Sequence, residues 1–311
     1  MNLFVQGMRR SGTTILYDAL REDRDLRSFY EPLREQKVSV GGGSGARGED
    51  AFGETGVLRE EFRRERYPDL DISEFNWGGP RKPRLEVEPG LPEHAAEWLR
   101  HLLGLAPAVA IKETRFYSKV PELRALDPDA ALVHVVRDPR AVAASIVLGR
   151  GRRQEKLLPD AGAFFADRSE RKLWSCRPIS RRMIRDGLAT GADPDELADP
   201  SNVLRVLLVW KLTFERTRAD GRRLFGDGYV LIRNEDLRGD PEAALGAVYA
   251  ALRREVPAEV GAWARANVRR AEPLYAAGDP RWAEALRSAG ISAEVLSDAG
   301  YSAEAPGTLE R

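Results

Sequence analysis

Near its amino terminus the chain reads Gly7-Met8-Arg9-Arg10-Ser11-Gly12-Thr13-Thr14, and no other segment restricts the fold as much. Residues 2–6 (NLFVQ) are an apolar run that predicts a short buried strand, and the stretch from Thr13 to Arg21 predicts a helix. A Gly-x4-Gly turn between a strand and a helix aims backbone N–H groups and the positive end of the helix dipole at one point. Thr13 and Thr14 add hydroxyls there, and Arg10 adds a fixed positive charge. Arg9, Arg10, Ser11, Gly12, Thr13 and Thr14 are thus candidate ligands of a phosphate. The nucleotide-triphosphatase version of this loop carries lysine after its second glycine. Thr13 stands in that place, and no apolar strand ends in an aspartate suited to hold magnesium. The spacing predicts a nucleotide 5′-phosphate cradle without triphosphatase apparatus. The plain alternative is an ordinary glycine turn, which leaves the row of adjacent polar donors without a purpose.

Further strands are expected at residues 26–31 (LRSFYE), 108–113 (AVAIKE), 131–137 (ALVHVVR) and 228–233 (GYVLIR). Helices are expected at 92–104, near Pro121–Leu126, after Asp138-Pro139, over 202–224 and after Asp240-Pro241. At both Asp-Pro pairs the aspartate can cap the helix and the proline suits its first position. The alternation predicts an α/β fold: one mostly parallel sheet of four to five strands, flanked by helices and serving a single domain over residues 1–311. Ligands of such sheets lie at the carboxyl ends of the strands. Two segments stand apart. Residues 40–56 hold seven glycines and read as a flexible loop, either a lid or a plain insertion. Residues 150–200 are charged and irregular and read as a helical insertion.

Composition removes several classes. Basic and acidic residues balance at 49 each, so a global grip on nucleic acid is not expected. Only seven of the basic residues are lysine; the rest are arginine, a skew that a GC-rich coding sequence produces and that also suits phosphate. The single cysteine, Cys176, rules out an intrachain disulfide. His94, His101 and His134 have no zinc-ligand spacing, so no metal is expected. With no apolar run long enough to span a membrane and no signal-peptide pattern, a cytoplasmic protein is expected. Oligomeric state has no sequence signal here.

A second anion site is expected at residues 131–145 (ALVHVVRDPRAVAAS). Arg137 closes a strand on the same sheet edge as the glycine loop, and Ser145 follows eight residues later in the next helix. Arg-Asp-Pro alone is a common way to begin a helix, so the segment gains its meaning from the loop.

Together, RRSGTT and VVRDPRAVAAS resemble the sulfotransferase family that uses 3′-phosphoadenosine-5′-phosphosulfate (PAPS). Phe29-Tyr30-Glu31-Pro32 is similar to the YEP segment of that family's carbohydrate branch, and YVLIRNEDL with Gly239-Asp240-Pro241 is similar to its RYEDL-x-x-DP strand. Trp282 and Gly300-Tyr301 resemble the family's closing helix and GY ending. Asn234 stands where the branch has tyrosine, and residues 38–107 and 150–200, where acceptor recognition is expected, carry no motif of the family that can be placed.

The resemblance implies that Arg10 to Thr14 hold the 5′-phosphosulfate and that Arg137 and Ser145 hold the 3′-phosphate. It implies Glu31 as the base that takes the acceptor's proton, with Arg10 and Lys112 as cations on the leaving phosphate and no metal. Trp210 is a candidate adenine-stacking residue or a core tryptophan, and His134 reads as a packed core histidine. The expected reaction is in-line transfer of a sulfuryl group to the hydroxyl of a sugar or glycoconjugate, with 3′,5′-bisphosphoadenosine as product. A lipid or specialised-metabolite hydroxyl is the second acceptor class. A P-loop phosphotransferase or kinase and a non-catalytic nucleotide-binding protein are the other functional classes.

Overall fold

In β1 (Leu3–Gln6) every residue is buried, as a strand covered on both faces must be. The computed structural model describes residues 1–34, 49–71, 83–149, 160–270 and 274–303. After β1 come α1 (Thr13–Leu20), β2 (Arg27–Tyr30), α2 (Glu49–Arg66), α3 (Pro83–Val87) and α4 (Glu93–Leu103). Next are β3 (Val109–Glu113), α5 (Val120–Leu126), β4 (Ala131–Val136), α6 (Pro139–Leu148), α7 (Ala161–Ala166), α8 (Cys176–Arg185) and α9 (Pro194–Ala198). The long α10 (Asn202–Phe225) leads into β5 (Tyr229–Arg233). Five helices follow: α11 (Asn234–Gly239), α12 (Pro241–Ala251), α13 (Ala258–Asn267), α14 (Arg281–Ser288) and α15 (Ala293–Asp298).

The five strands form one sheet in the order β2-β3-β1-β4-β5, and every pairing is parallel. The expected α/β architecture is therefore observed, with the sheet wholly parallel. Side chains alternate between faces, as strand geometry requires. Leu3 and Val5 pack with α1, α12 and α13, whereas Phe4 packs with Trp98 and Leu102 of α4 and Leu123 of α5. A third core surrounds α10 and holds the insertion and the carboxyl-terminal helices together through Phe164, Cys176, Trp282 and Leu296.

The chain leaves β1 toward β2 on one side, and leaves β4 toward β5 on the other. Such a reversal opens a crevice at the carboxyl ends of two adjacent strands. The glycine loop after β1 and Arg137 after β4 both lie at that crevice. Asp138 caps α6 by accepting from Arg140 N at 2.8 Å, with Pro139 in the first helical turn, and Asp240 caps α12 from Ala243 N at 3.0 Å. Each cap is worth about 1 kcal/mol.

One boundary differs from expectation. Residues 49–56 belong to α2 rather than to a loop, Gly53 and Gly56 included. The flanking sequence, rich in Glu and Arg after Glu54, has high helix propensity and tolerates two interior glycines at about 1 kcal/mol each. The rest of the expected loop, residues 40–48, lies outside the described residues, as do 150–159 of the insertion. The described remainder of the insertion is helical and irregular as expected, with α7, α8 and α9 joined by turns.

Candidate functional site

The loop's glycines are set by close approach. A Cβ on Gly7 would meet the Val135 carbonyl oxygen at 2.3 Å, and one on Gly12 would meet Asn234 Nδ2 at 1.8 Å. Gly12 also sits at φ +92, a left-handed conformation that side chains disfavour, and forms the N-cap of α1 without a side-chain cap. The first N–H groups of α1 thus face the crevice with no side-chain acceptor, an arrangement suited to an anion. Ser11 Oγ is buried without a hydrogen-bond partner, another donor left for a ligand.

Arg10 adopts φ 72, and its Nε donates to Ser145 Oγ on α6 at 2.8 Å. Arg137 Nη1 donates to the Arg10 carbonyl at 3.3 Å, while its buried Nε has no partner. The two motifs, far apart in sequence, therefore meet at one place. Thr14 Oγ1 lies 3.1 Å from the Tyr30 hydroxyl, tying the loop to the end of β2.

Arg9 goes elsewhere. Its Nη2 contacts both Glu86 oxygens, at 2.6 and 2.7 Å, and the pair is buried. Burial acts against its charge, and Glu86 more than compensates. Its guanidinium is thus engaged by a carboxylate instead of facing the crevice with Arg10.

Glu31 follows β2 directly, at φ 43, in a strained left-handed conformation of the kind that clusters at functional sites. Its Oε1 accepts from Lys112 Nζ at 2.5 Å, and Lys112 also lies 4.0 Å from the Tyr30 ring centroid. Burial alone would push the Glu31 carboxyl up, but Lys112 and Arg115 outweigh it and hold it at about 2. Arg115 joins three carboxylates: Glu113 at 2.9 Å, Glu86 at 3.3 Å and Glu31 at 3.6 Å. Burial, with Glu31 nearby, pushes Glu113 up against the pull of Arg115. Arg9, Arg115 and Lys112 with Glu31, Glu86 and Glu113 form one continuous buried network.

The structure thus brings Arg10, Ser11 to Thr14, Glu31, Lys112, Arg137 and Ser145 to one sheet edge and diverts Arg9. Trp210 is a core residue: it is buried, stacks on Phe214 at 5.1 Å, and donates Nε1 to the Arg137 carbonyl at 2.9 Å. It cannot stack on adenine from there; it braces Arg137. His134 is buried against Tyr229, its Nδ1 2.9 Å from the hydroxyl, and burial followed by the Arg218 charge drives its pKa down to about 3. Asn234 fills the space beside Gly12, and its Oδ1 accepts from Arg238 Nε at 3.1 Å. Tyr301 Oη donates to Glu235 Oε2 at 2.6 Å, and Glu235 Oε1 accepts from Asp138 N at 3.3 Å, so the carboxyl-terminal segment braces the start of α6.

Glu86 and Arg115 escape reading residue by residue, and Tyr30 is marked only as part of the Tyr-Glu-Pro segment, not as a partner of Thr14 and Lys112. The charged run Lys112-Glu113-Thr114-Arg115 at a strand end is the one signal that pointed to Arg115. Among the described residues, no group of three or more His, Cys, Asp or Glu side chains is placed to hold a metal ion. Nor is any helix among them long and apolar enough to cross a membrane.

A family model described as the sulfotransferase family matches residues 2–174, more than half of the chain. No curated protein matches the chain by sequence. Among solved structures, the chain is similar to sulfotransferase STF9 from Mycobacterium avium, with 16% identity and a TM-score of 0.47 over 85% of this chain and 67% of that one. It is also similar to a sulfotransferase domain from the curacin biosynthetic pathway, with 15% identity and a TM-score of 0.46 over 96% of this chain and 97% of that one. A third is the sulfotransferase domain of the Synechococcus PCC 7002 olefin synthase, at 17% identity, a TM-score of 0.39, and 91% and 82% coverage.

Proposed function

The chain belongs to the sulfotransferase family, and from that premise we propose that it moves the sulfuryl group of PAPS to a hydroxyl of a sugar or glycoconjugate. We read it as one sulfotransferase-like domain. The phosphotransferase and scaffold readings give way to family membership. The observation that carries the donor assignment is the meeting of Arg10, Arg137 and Ser145 at the β1–β4 crevice, beside the unpartnered Ser11 Oγ and Arg137 Nε. These donors fit a ligand with two separate phosphate groups. Ser11 to Thr14 would hold the 5′-phosphosulfate, and Arg137 with Ser145 the 3′-phosphate.

Sulfuryl transfer resembles phosphoryl transfer in its loose, in-line geometry, so positioning and charge stabilisation carry most of the catalysis. The acceptor oxygen forms a bond to sulfur as the bond from sulfur to the 5′-phosphate oxygen breaks. The acceptor's proton passes to Glu31, and the electron pair of the broken bond stays on the phosphate, giving adenosine 3′,5′-bisphosphate. Lys112 serves both ends of this step. In the resting protein it neutralises Glu31. As it turns to the leaving phosphate, Glu31 loses its strongest stabilising partner and becomes a better base. Arg10, on the loop, supplies the second cation. The sugar acceptor rests on the similarity of Tyr30-Glu31-Pro32 and of Arg137 to Val142 to the carbohydrate branch.

Arg137→Ala tests the donor geometry. Binding of adenosine 3′,5′-bisphosphate should weaken roughly ten- to hundredfold, the worth of a hydrogen bond to a charged group. Adenosine 5′-phosphate should lose less than about threefold by the same scale. Equal losses for both would remove the 3′-phosphate assignment.

A further inference from the structure

The peptide unit between Arg137 and Asp138 is hydrogen-bonded at both of its polar ends. Trp210 Nε1 donates to its carbonyl at 2.9 Å, and its N–H donates to Glu235 Oε1 at 3.3 Å. Two bonds on opposite edges of one planar unit fix its rotation, and with it the backbone from which Arg137 reaches the crevice. Glu235 is itself held by Tyr301, whose hydroxyl donates to Glu235 Oε2 at 2.6 Å. Asp138, Glu235 and Tyr301 are all buried, where a lost donor is costly. Burial pushes the Glu235 carboxyl up, and the Tyr301 hydroxyl is the first group that draws it back. Packing does not call for that hydroxyl. Tyr301 contributes its ring to the core around α10, and a phenylalanine would fill the same place.

The residues on either side of Tyr301 grip the same two segments. The Gly300 carbonyl accepts from Arg233 Nη1 at 2.6 Å, and the Ser302 carbonyl accepts from Arg140 Nη2 at 3.1 Å. Gly300 sits at φ +81, and a Cβ there would meet Arg233 Cδ at 2.8 Å, so glycine permits the close approach. Both arginines are anchored in turn, Arg140 on Asp138 and Arg233 on Asp236, each at 2.7 Å. Asn234, between Arg233 and Glu235, is the residue that fills the space beside Gly12. Residues 300–302 therefore fasten together the end of β4, which carries Arg137, and the start of α11, which borders the glycine loop.

We propose that Tyr301 is a positioning residue for the donor: through Glu235 and the Asp138 amide it holds Arg137 at the distance from the glycine loop that a 3′-phosphate requires. It thereby sets the preference for a nucleotide with two separate phosphates. This deepens the donor reading and rests on it. Arg137 meets the charge of the phosphate; Tyr301 supplies geometry, without touching the ligand. A 5′-phosphate alone sits on the loop and does not need Arg137 in register, so the two nucleotides respond differently to the loss of the hydroxyl.

The test is calorimetric titration of the full chain and its Tyr301→Phe variant with adenosine 3′,5′-bisphosphate and with adenosine 5′-phosphate, alongside urea unfolding of both proteins. Tyr301→Phe should bind the bisphosphate about five- to tenfold more weakly, part of the worth of a hydrogen bond to a charged group. Adenosine 5′-phosphate should change by less than about threefold. Glu235→Ala should lose at least as much bisphosphate affinity, and adding Tyr301→Phe to it should cost less than about twofold more, as two members of one relay require. An unchanged ratio of the two affinities in Tyr301→Phe overturns the proposal, whatever happens to stability, because a merely structural role lowers stability and leaves the ratio alone. Fully additive losses in the double variant overturn it as well. A wild-type protein that binds the two nucleotides equally contradicts the donor reading itself, and the proposal falls with it.

Discussion

The two sides of the crevice are built in opposite ways. On the β1–β4 side the glycine loop, Arg137 and Ser145 present donors that are incompletely satisfied, including Ser11 Oγ and Arg137 Nε. On the β2–β3 side Glu31, Lys112, Arg115, Glu113, Glu86 and Arg9 form a network in which every charge meets an opposite one. The first side waits for an anion. The second is already neutralised, and can act only when one of its pairs is opened. The contrast implies that substitutions on the donor side affect binding, whereas those on the network side affect turnover and stability.

The sharpest break of that comparison is Glu31→Gln. Turnover should fall about 10²–10⁴-fold, the usual worth of a general base, while bisphosphate affinity changes little. Retained turnover would remove Glu31 as the base and leave the network a purely structural feature. The next effect is on stability. Glu86→Gln strands the buried Arg9 and weakens Arg115, and removing one partner of a buried pair costs about 3–5 kcal/mol. Denaturant unfolding should show that loss, and a change below about 1 kcal/mol would mean that solvent reaches the pair.

Acid offers a graded version of the same test. Glu31 is held at about 2, below its ordinary 4.5, so the unfolded chain takes up its proton first as pH falls. This stabilisation is complete above about 4.5 and is lost as pH drops toward about 2. Glu113, pushed up by burial, has the opposite sign and offsets part of it. Unfolding measured against pH should therefore show a shallower acid limb in Glu31→Gln than in the wild type; identical limbs would contradict the ion-pair account. The smallest effect is expected from Trp210→Phe, which removes the hydrogen bond to the Arg137 carbonyl. Bisphosphate binding should weaken by about 1 kcal/mol, roughly fivefold, and unfolding stability should fall by about 1–3 kcal/mol, because phenylalanine leaves part of the buried indole's space empty. An unaltered affinity would show that Arg137 needs no brace.

The same contrast explains what the sequence revealed. The donor side is local: a strand, a glycine turn and a helix start lie within residues 3–20, and a second strand and cap within 131–145. Backbone geometry dictates the residue types there, so Gly7, Gly12, Asp138 and Pro139 were readable in place. The sheet was legible for the same reason, since fully buried strands appear as apolar runs. The network side is assembled from residues distant in sequence. Arg9 and Glu86 are 77 residues apart, and Lys112 and Glu31 are 81 apart. Nothing local marks Glu86 as a partner of the loop, so Arg9 reads as a phosphate ligand until the fold occupies it. Trp210 failed as a stacking candidate on similar grounds. Its helix has apolar residues all round near the sheet, and only the packing decides which face is inside.

The central claim is that the crevice holds a nucleotide by two separate phosphates. Calorimetric titration of the wild-type protein with adenosine 3′,5′-bisphosphate, without metal, tests it most directly, alongside ADP and ATP with magnesium. The account predicts micromolar or tighter binding of the bisphosphate and markedly weaker binding of the other two. A preference for ATP with magnesium would contradict it, and with it the assignment of Arg137 and Ser145 to a 3′-phosphate.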